Sequence, residues 1–202
     1  MNDNAMTKIA GADVNSESVG ETARFRSFGD LERELHELPP APTDEGRIEL
    51  IVRRVAAGGR REILDAAELT ADAGVPGDAW ERRPQKDPDM QIAVMQIDVA
   101  RLIANGQPIP LFGDNLFVEL DLRASNLPPG TRLKAGSALL EITPQPHNGC
   151  RKFQSRFGPD ALRLVAGKEL RHRNLRGIYM RVVQPGIVRA GDSIQVLSRP
   201  RA

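Results

Sequence analysis

The chain has 202 residues, 40% of them apolar, which suits one domain with a proper core. Its 27 acidic and 28 basic residues leave a net charge of +1, so no global field draws it to nucleic acid or to a membrane surface. No run approaches the ~20 apolar residues of a membrane span, and residues 1–20 lack the basic start and apolar stretch of a signal peptide. The expectation is a cytoplasmic protein without membrane or nucleic-acid partners.

Residues 1–24 are polar, dotted with Gly and Ser and free of periodicity, which predicts a disordered arm. Residues 25–44 read as a short helix and a Pro-rich linker. Phe28, Leu31, Leu35 and Leu38 fall at helical spacing, with Asp30 as the expected cap, and Pro39, Pro40 and Pro42 end the run. A barrel domain is expected over 45–198, followed by a tail at 199–202.

From Arg47 the pattern changes to short strands. Ile48–Val52 is the first, and Gly58-Gly59 breaks it. Gln91–Gln96 is another, leading through Asp98 as N-cap into a helix over Val99–Ala104 that stops at Asn105-Gly106. Leu116–Leu120 alternates, and Pro128-Pro129-Gly130 turns the chain. Ala138–Thr143 then delivers a loop to Cys150. Two stretches, 128–142 and 184–197, each read Pro-Gly, short strand, Ala-Gly, alternating strand, as though one ribbon were built twice. Short strands punctuated by Gly and Pro, with only two or three short helices, predict a mostly β (α+β) fold. Its expected form is a small closed β-barrel with peripheral helices.

Three stretches between the strands carry candidate chemistry. The first, Asp72–Trp80, holds Asp78 and the single Trp, and its glycines allow close approach of backbone to a ligand. A Gly-Pro loop with Trp80 plugging a barrel end is the plainer reading. The second is Leu111–Leu116, where the Asn115 carboxamide can both donate to and accept from a heterocycle edge. Asp114 and Asn115 serve equally well as turn residues.

The third is Pro146-His147-Asn148-Gly149-Cys150-Arg151-Lys152-Phe153 and the helix after it. One cysteine forms no internal disulfide and builds no Cys-rich zinc site. It is a buried inert thiol, a nucleophile, or one soft ligand to a metal held mainly by something else. Neighbouring Arg151, Lys152 and His147 favour a thiolate. From Cys150 to Arg176 eight basic residues face two acidic ones. Such a surplus makes either a solvated face or a phosphate site, for which Arg151, Lys152, Arg156, Arg173 and Arg176 are the candidates. No Walker loop, GxSxG elbow or HExxH is present.

In order along the chain, Gly74–Asp78, Gly113–Leu116, Leu127–Leu133, Ala138–Thr143, Cys150–Lys152, Arg176–Val182 and Gly186–Asp192 resemble the MOSC domain. That domain is the C-terminal module of eukaryotic molybdenum cofactor sulfurases and also occurs as stand-alone bacterial proteins. The resemblance covers about residues 45 to 198. It implies a β-barrel binding the molybdenum cofactor (molybdopterin), with Cys150 as molybdenum ligand or sulfur carrier. Asn115, Asp78, Trp80, His147, Asn148, Arg151, Lys152, Arg156, Arg173 and Arg176 are then the residues expected around the cofactor. The approach to Cys150, Gln145–Gly149, is more polar than in many members. No aminotransferase-like domain is recognisable, so a pyridoxal-dependent sulfur donor would be a separate partner. Three functions follow: a reductase of N-hydroxylated small molecules fed by separate redox proteins, a carrier delivering sulfur or cofactor to apo-molybdoenzymes, or a scaffold barrel with an inert cysteine.

Overall fold

The computed structural model describes residues 19–55 and 60–200. Its strands are β1 (Glu45–Arg54), β2 (Arg61–Leu64), β3 (Ala66–Leu69), β4 (Ile92–Gln96), β5 (Leu116–Glu119), β6 (Arg132–Ala135), β7 (Ala138–Ile142), β8 (Ile178–Gln184), β9 (Gly186–Arg189) and β10 (Ser193–Ser198). The helices are α1 (Phe28–Glu37), α2 (Ile97–Ala104), α3 (Arg151–Phe157) and α4 (Pro159–Ala166). Strand order β10-β6-β7-β8-β4-β5-β1, closed by a β1–β10 pairing, makes a seven-stranded barrel. The β4–β5 pair is parallel and the other barrel pairs are antiparallel. β2 extends β1, while β3 and β9 form a separate ribbon.

Period-two alternation divides the apolar residues between two cores. Leu116 and Val118 point into the barrel while Phe117 points out, and Val94 and Met95 divide the same way. In β1 both Ile48 and Ile51 enter the barrel although they are three apart. The β1–β5 register shifts between Ile48 and Leu50, so one extra residue resets the parity. The outer core, with Phe112, Phe117, Phe153 and Phe157 in ring contact, is covered by the helices.

Local signals explain the helix ends. Ser27, not Asp30, caps α1: its Oγ accepts from the Asp30 N–H at 3.2 Å, while Asp30 accepts from the Ser27 hydroxyl at 2.7 Å. α2 begins at Ile97 with Gln96 as N-cap, two residues ahead of the expected Asp98, which sits in the first turn and favours the helix dipole from there. The basic segment after Cys150 is two helices, because Gly158 at φ 90° and Pro159 break it. The paired-ribbon reading holds only in part: β6 and β7 form a hairpin, but β9 pairs with β3 and β10 with β6 and β1. β2 and β3 follow a stretch with no clear alternation and were not expected.

The arm expected over residues 1–24 lies outside the described residues up to residue 18. Val19 is exposed, and from Gly20 onward the backbone is hydrogen-bonded to the body of the protein, with a short 3-10 turn at Thr22–Arg24. Of the tail, Arg199 ties down onto Asn126, Thr43 and Asp44.

Candidate functional site

One end of the barrel gathers side chains from β1, β2, the loop before β5, the approach to Cys150, α3 and the entry to β8. Asp114 lies at the centre, fully buried. Its Oδ2 accepts from Arg176 Nη1 at 2.7 Å, and its Oδ1 faces His147 Nδ1 at 3.4 Å. Arg176 also donates to the Phe112 carbonyl at 3.3 Å and lies over the Phe153 ring. The His147 ring lies tilted against Tyr179, with centroids 4.3 Å apart and planes at 34°.

Beside this group Arg54, at the end of β1, grips Asp78: its Nε and backbone N–H both donate to Asp78 Oδ2, at 2.9 and 2.8 Å. Arg54 Nη2 reaches Asn115 Oδ1 at 3.4 Å. Arg61 is buried and lies along Gly113, where a Cβ would come within 3.6 Å of its Nε. Arg156 is buried, and its Nη1 donates to the Leu111 carbonyl at 2.9 Å. These groups are close enough to perturb one another. Burial, then Arg156 and Arg54, hold the Arg61 guanidinium down to about 10. Burial lowers Arg156, which also senses Cys150, Arg176 and Asp114.

The carboxylates respond in opposite directions. Burial pushes the Asp114 carboxyl up against the pull of Arg176. Burial also opposes ionisation of Asp78, but Arg54 and the backbone N–H groups of Trp80 and Arg54 outweigh it and hold its carboxyl below the usual range. His147 is driven well below its ordinary 6.5 by burial, then by Arg176 and Arg54, so it is neutral at pH 7. Four guanidiniums (Arg54, Arg61, Arg156, Arg176) thus meet two carboxylates (Asp78, Asp114). Arg176 Nε and His147 Nδ1 are buried without a hydrogen bond among the described residues. The arrangement suits an anion carrying several oxygens, which would supply acceptors for the cation surplus.

The sequence candidates divide. Asp78, Asn115, His147, Arg156 and Arg176 converge here. Asn115 is already occupied: its Oδ1 accepts from the Ala93 N–H at 3.1 Å and its Nδ2 donates to the Val52 carbonyl at 3.3 Å. Trp80 is buried in its own loop, its Nε1–H on the Asp87 carbonyl at 2.9 Å and Lys86 over its ring. Arg173 stands apart, lowered by burial and then by Arg123, against the pull of Asp121. Asn148, Arg151 and Lys152 are exposed around Cys150. Cys150 is itself exposed and is the N-cap residue of α3, which excludes the buried inert thiol. A cavity of about 350 Å3 opens along the loop that precedes it, lined by Pro146, His147, Asn148, Gly149, Arg171 and Arg176 but not by Cys150.

Sequence reasoning missed Arg54, Arg61 and Tyr179. The basic pairs Arg53-Arg54 and Arg60-Arg61 flanking a Gly-Gly break were the available signal. Among the described residues no cluster of three or more His, Cys, Asp or Glu is placed to hold a metal ion, and no helix is long and apolar enough to cross a membrane.

A family model described as MOSC domain matches residues 75–195. Among curated proteins none matches the chain significantly. Among solved structures, the YuaD protein of Bacillus subtilis is similar at 20% identity over 77% of this chain and 97% of that one, with a TM-score of 0.56. YiiM of Escherichia coli is 23% identical over 77% of this chain and 72% of its own, with a TM-score of 0.52. YiiM of Geobacillus stearothermophilus is 17% identical over 79% and 76%, also at 0.52. At these identities the likeness is one of fold.

Proposed function

This chain belongs to the MOSC domain family, and from that premise we propose that it binds the molybdenum cofactor at the arginine-lined barrel end. The family is associated with that cofactor in general. The residues here fit such a group: buried guanidiniums in excess of carboxylates suit its phosphate, and an exposed soft sulfur beside them suits its metal. Arg54, Arg61, Arg156 and Arg176 would hold the anionic part, with Arg151, Lys152 and Asn148 at the rim and Cys150 as molybdenum ligand. Asp114 would fix Arg176 rather than touch the ligand. Asp78 would do the same for Arg54. When bound, the group supplies two-electron redox chemistry at molybdenum.

The activity we assign is reduction of N-hydroxylated small molecules, with electrons from separate redox proteins. The observation carrying the assignment is the cation surplus closed around Asp114, with Arg156 near enough to Cys150 to sense its charge. A second reading, a carrier of sulfur or cofactor for apo-molybdoenzymes, is favoured by one feature, the exposure of Cys150 to a partner protein. A pyridoxal-dependent enzyme would then charge it.

Protein purified from cofactor-competent cells is expected to contain molybdenum and pterin, and Cys150→Ser to lose the metal. Because Cys150 is exposed, that variant should melt within about 0.5 kcal/mol of wild type. Unchanged molybdenum in a folded Cys150→Ser protein would remove the ligand assignment. Turnover of a hydroxylamine with a reduced dye separates the reductase from the carrier.

A further inference from the structure

Residues 19–28 precede the barrel and lie outside the family match, yet they grip the helix that carries Arg156. The Gly20 N–H donates to the Ser155 carbonyl at 3.0 Å. The Glu21 N–H donates to Gln107 Oε1 at 2.9 Å, and Gln107, itself buried, donates through Nε2 to the Arg156 carbonyl at 3.1 Å. Ser155 and Arg156 belong to the last turn of α3, where carbonyls have no partner inside the helix. Farther along, Phe25 packs on Gly158, the Phe28 N–H donates to Asp160 Oδ2 at 3.1 Å, and Arg163 covers the Phe28 ring at 4.3 Å.

The side-chain end of Arg156 is held from the same place. Its guanidinium donates to the Leu111 carbonyl, four residues beyond Gln107, and that segment runs directly into Gly113–Asn115. α3 has seven residues, so its own turns do little to fix its position. It lies between an exposed loop and the Gly158-Pro159 helix break, and its placement comes from outside partners. A Cβ at Gly20 would overlap the Arg156 carbonyl, so only glycine lets the strap cross there.

We propose that residues 19–28 are a strap that positions Arg156, and through the same short helix Cys150, toward an anionic ligand, with Gly20 and Gln107 as positioning residues. The proposal rests on the cofactor-site reading above. Neither Gly20 nor Gln107 touches the ligand. A strap that served stability alone would change melting without changing ligand affinity or thiol reactivity.

The test uses the full chain as Gly20→Ala, Gln107→Met and Gly29→Ala, with pyrophosphate as the probe. Gly29→Ala is the control, since a Cβ there meets nothing within 4 Å. Pyrophosphate affinity is measured by calorimetry, Cys150 by its rate of alkylation with iodoacetamide, and folding by thermal melts. Gly20→Ala and Gln107→Met are each expected to weaken pyrophosphate about tenfold, the loss of one well-placed charged contact, and to alter the alkylation rate. Gly29→Ala should match wild type in both. Affinity and alkylation unchanged in folded Gly20→Ala and Gln107→Met, whatever their melting temperatures, would overturn the strap. A wild type that ignores millimolar pyrophosphate would overturn the cofactor-site reading. The alkylation rates would then still judge the strap's hold on Cys150, and unchanged rates would end it.

Discussion

His147 occupies a place that a charged imidazole would disturb, with Arg176 and Arg54 as its cationic neighbours, Asp114 at its Nδ1 and Tyr179 on its face. Its folded-state pKa is depressed, so its contribution to stability is fully present above the unfolded value of about 6.5 and is lost as pH falls below it. In that window the wild type should lose up to about 1.4 kcal/mol per pH unit from this one proton. Asp114, whose carboxyl is raised, works in the opposite sense at lower pH, so the comparison is made against His147→Gln, which keeps Asp114 and removes the imidazole. Urea melts at pH 7, 6 and 5 should show a shallower acid loss in His147→Gln; parallel curves would mean His147 is not held neutral. Of the candidate site residues, Cys150 and Arg176 could be singled out in the sequence because chemistry confines cysteine and because the basic surplus was local. Arg54 and Arg61 were not. They sit outside that surplus, and only closure of the barrel brings strand β1's end and strand β2's start beside the Asp114 loop.

At the scale of elements, the loop before β5 is held by one side chain. Asn115 uses its backbone N–H on Ala93, its carbonyl on Val52 and its carboxamide on both strands, so it ties β4 and β1 together where the parallel β4–β5 pair begins. The sequence suggested a ligand-reading carboxamide or a turn residue; the structure shows a strand clip, because a fully buried amide between two strand ends finds backbone partners first. Asn115→Ala strands the Ala93 N–H and the Val52 carbonyl and should lower stability by about 1–3 kcal/mol. Asn115→Asp keeps the acceptor for Ala93, with Arg54 Nη2 3.4 Å away to offset its charge, but loses the donor to Val52, so it should fall between wild type and Ala. Chemical denaturation of the two variants checks the order, and an Asp variant as stable as wild type would deny the clip its donor half. The same logic explains why one expected basic helix is two. Helical spacing of Phe157, Ala161, Leu164 and Val165 is real, but Gly158-Pro159 lies inside it, and a proline with its preceding residue overrides periodicity.

For the whole molecule, alternation and turn residues disclosed a barrel, since seven short strands with one face on a shared core have few other ways to hide their edges. Pairing partners were less legible: two stretches alike in sequence differ in topology because β9 leaves the barrel for β3, and nothing within either stretch records that partner. Closure depends on a short seam in which Glu45, Gly46 and Arg47 of β1 meet Gln195, Ile194 and Ser193 of β10. Ile194 is the seam's fully buried apolar side chain and belongs to the inner core with Ile48, Leu133 and Leu140. Truncating it to Ala should destabilise the protein by about 2–5 kcal/mol through lost burial and the cavity left behind. Leu197 on the same strand is half exposed, and Leu197→Ala should stay within about 0.5 kcal/mol. If the barrel is one cooperative unit, Ile194→Ala should speed hydrogen exchange at Ile51, Val118 and Leu140 alike, because opening the seam removes the wall they share. Faster exchange confined to residues 45–47 and 193–195 would instead mean that the seam frays by itself and that the remaining strands hold as an open sheet.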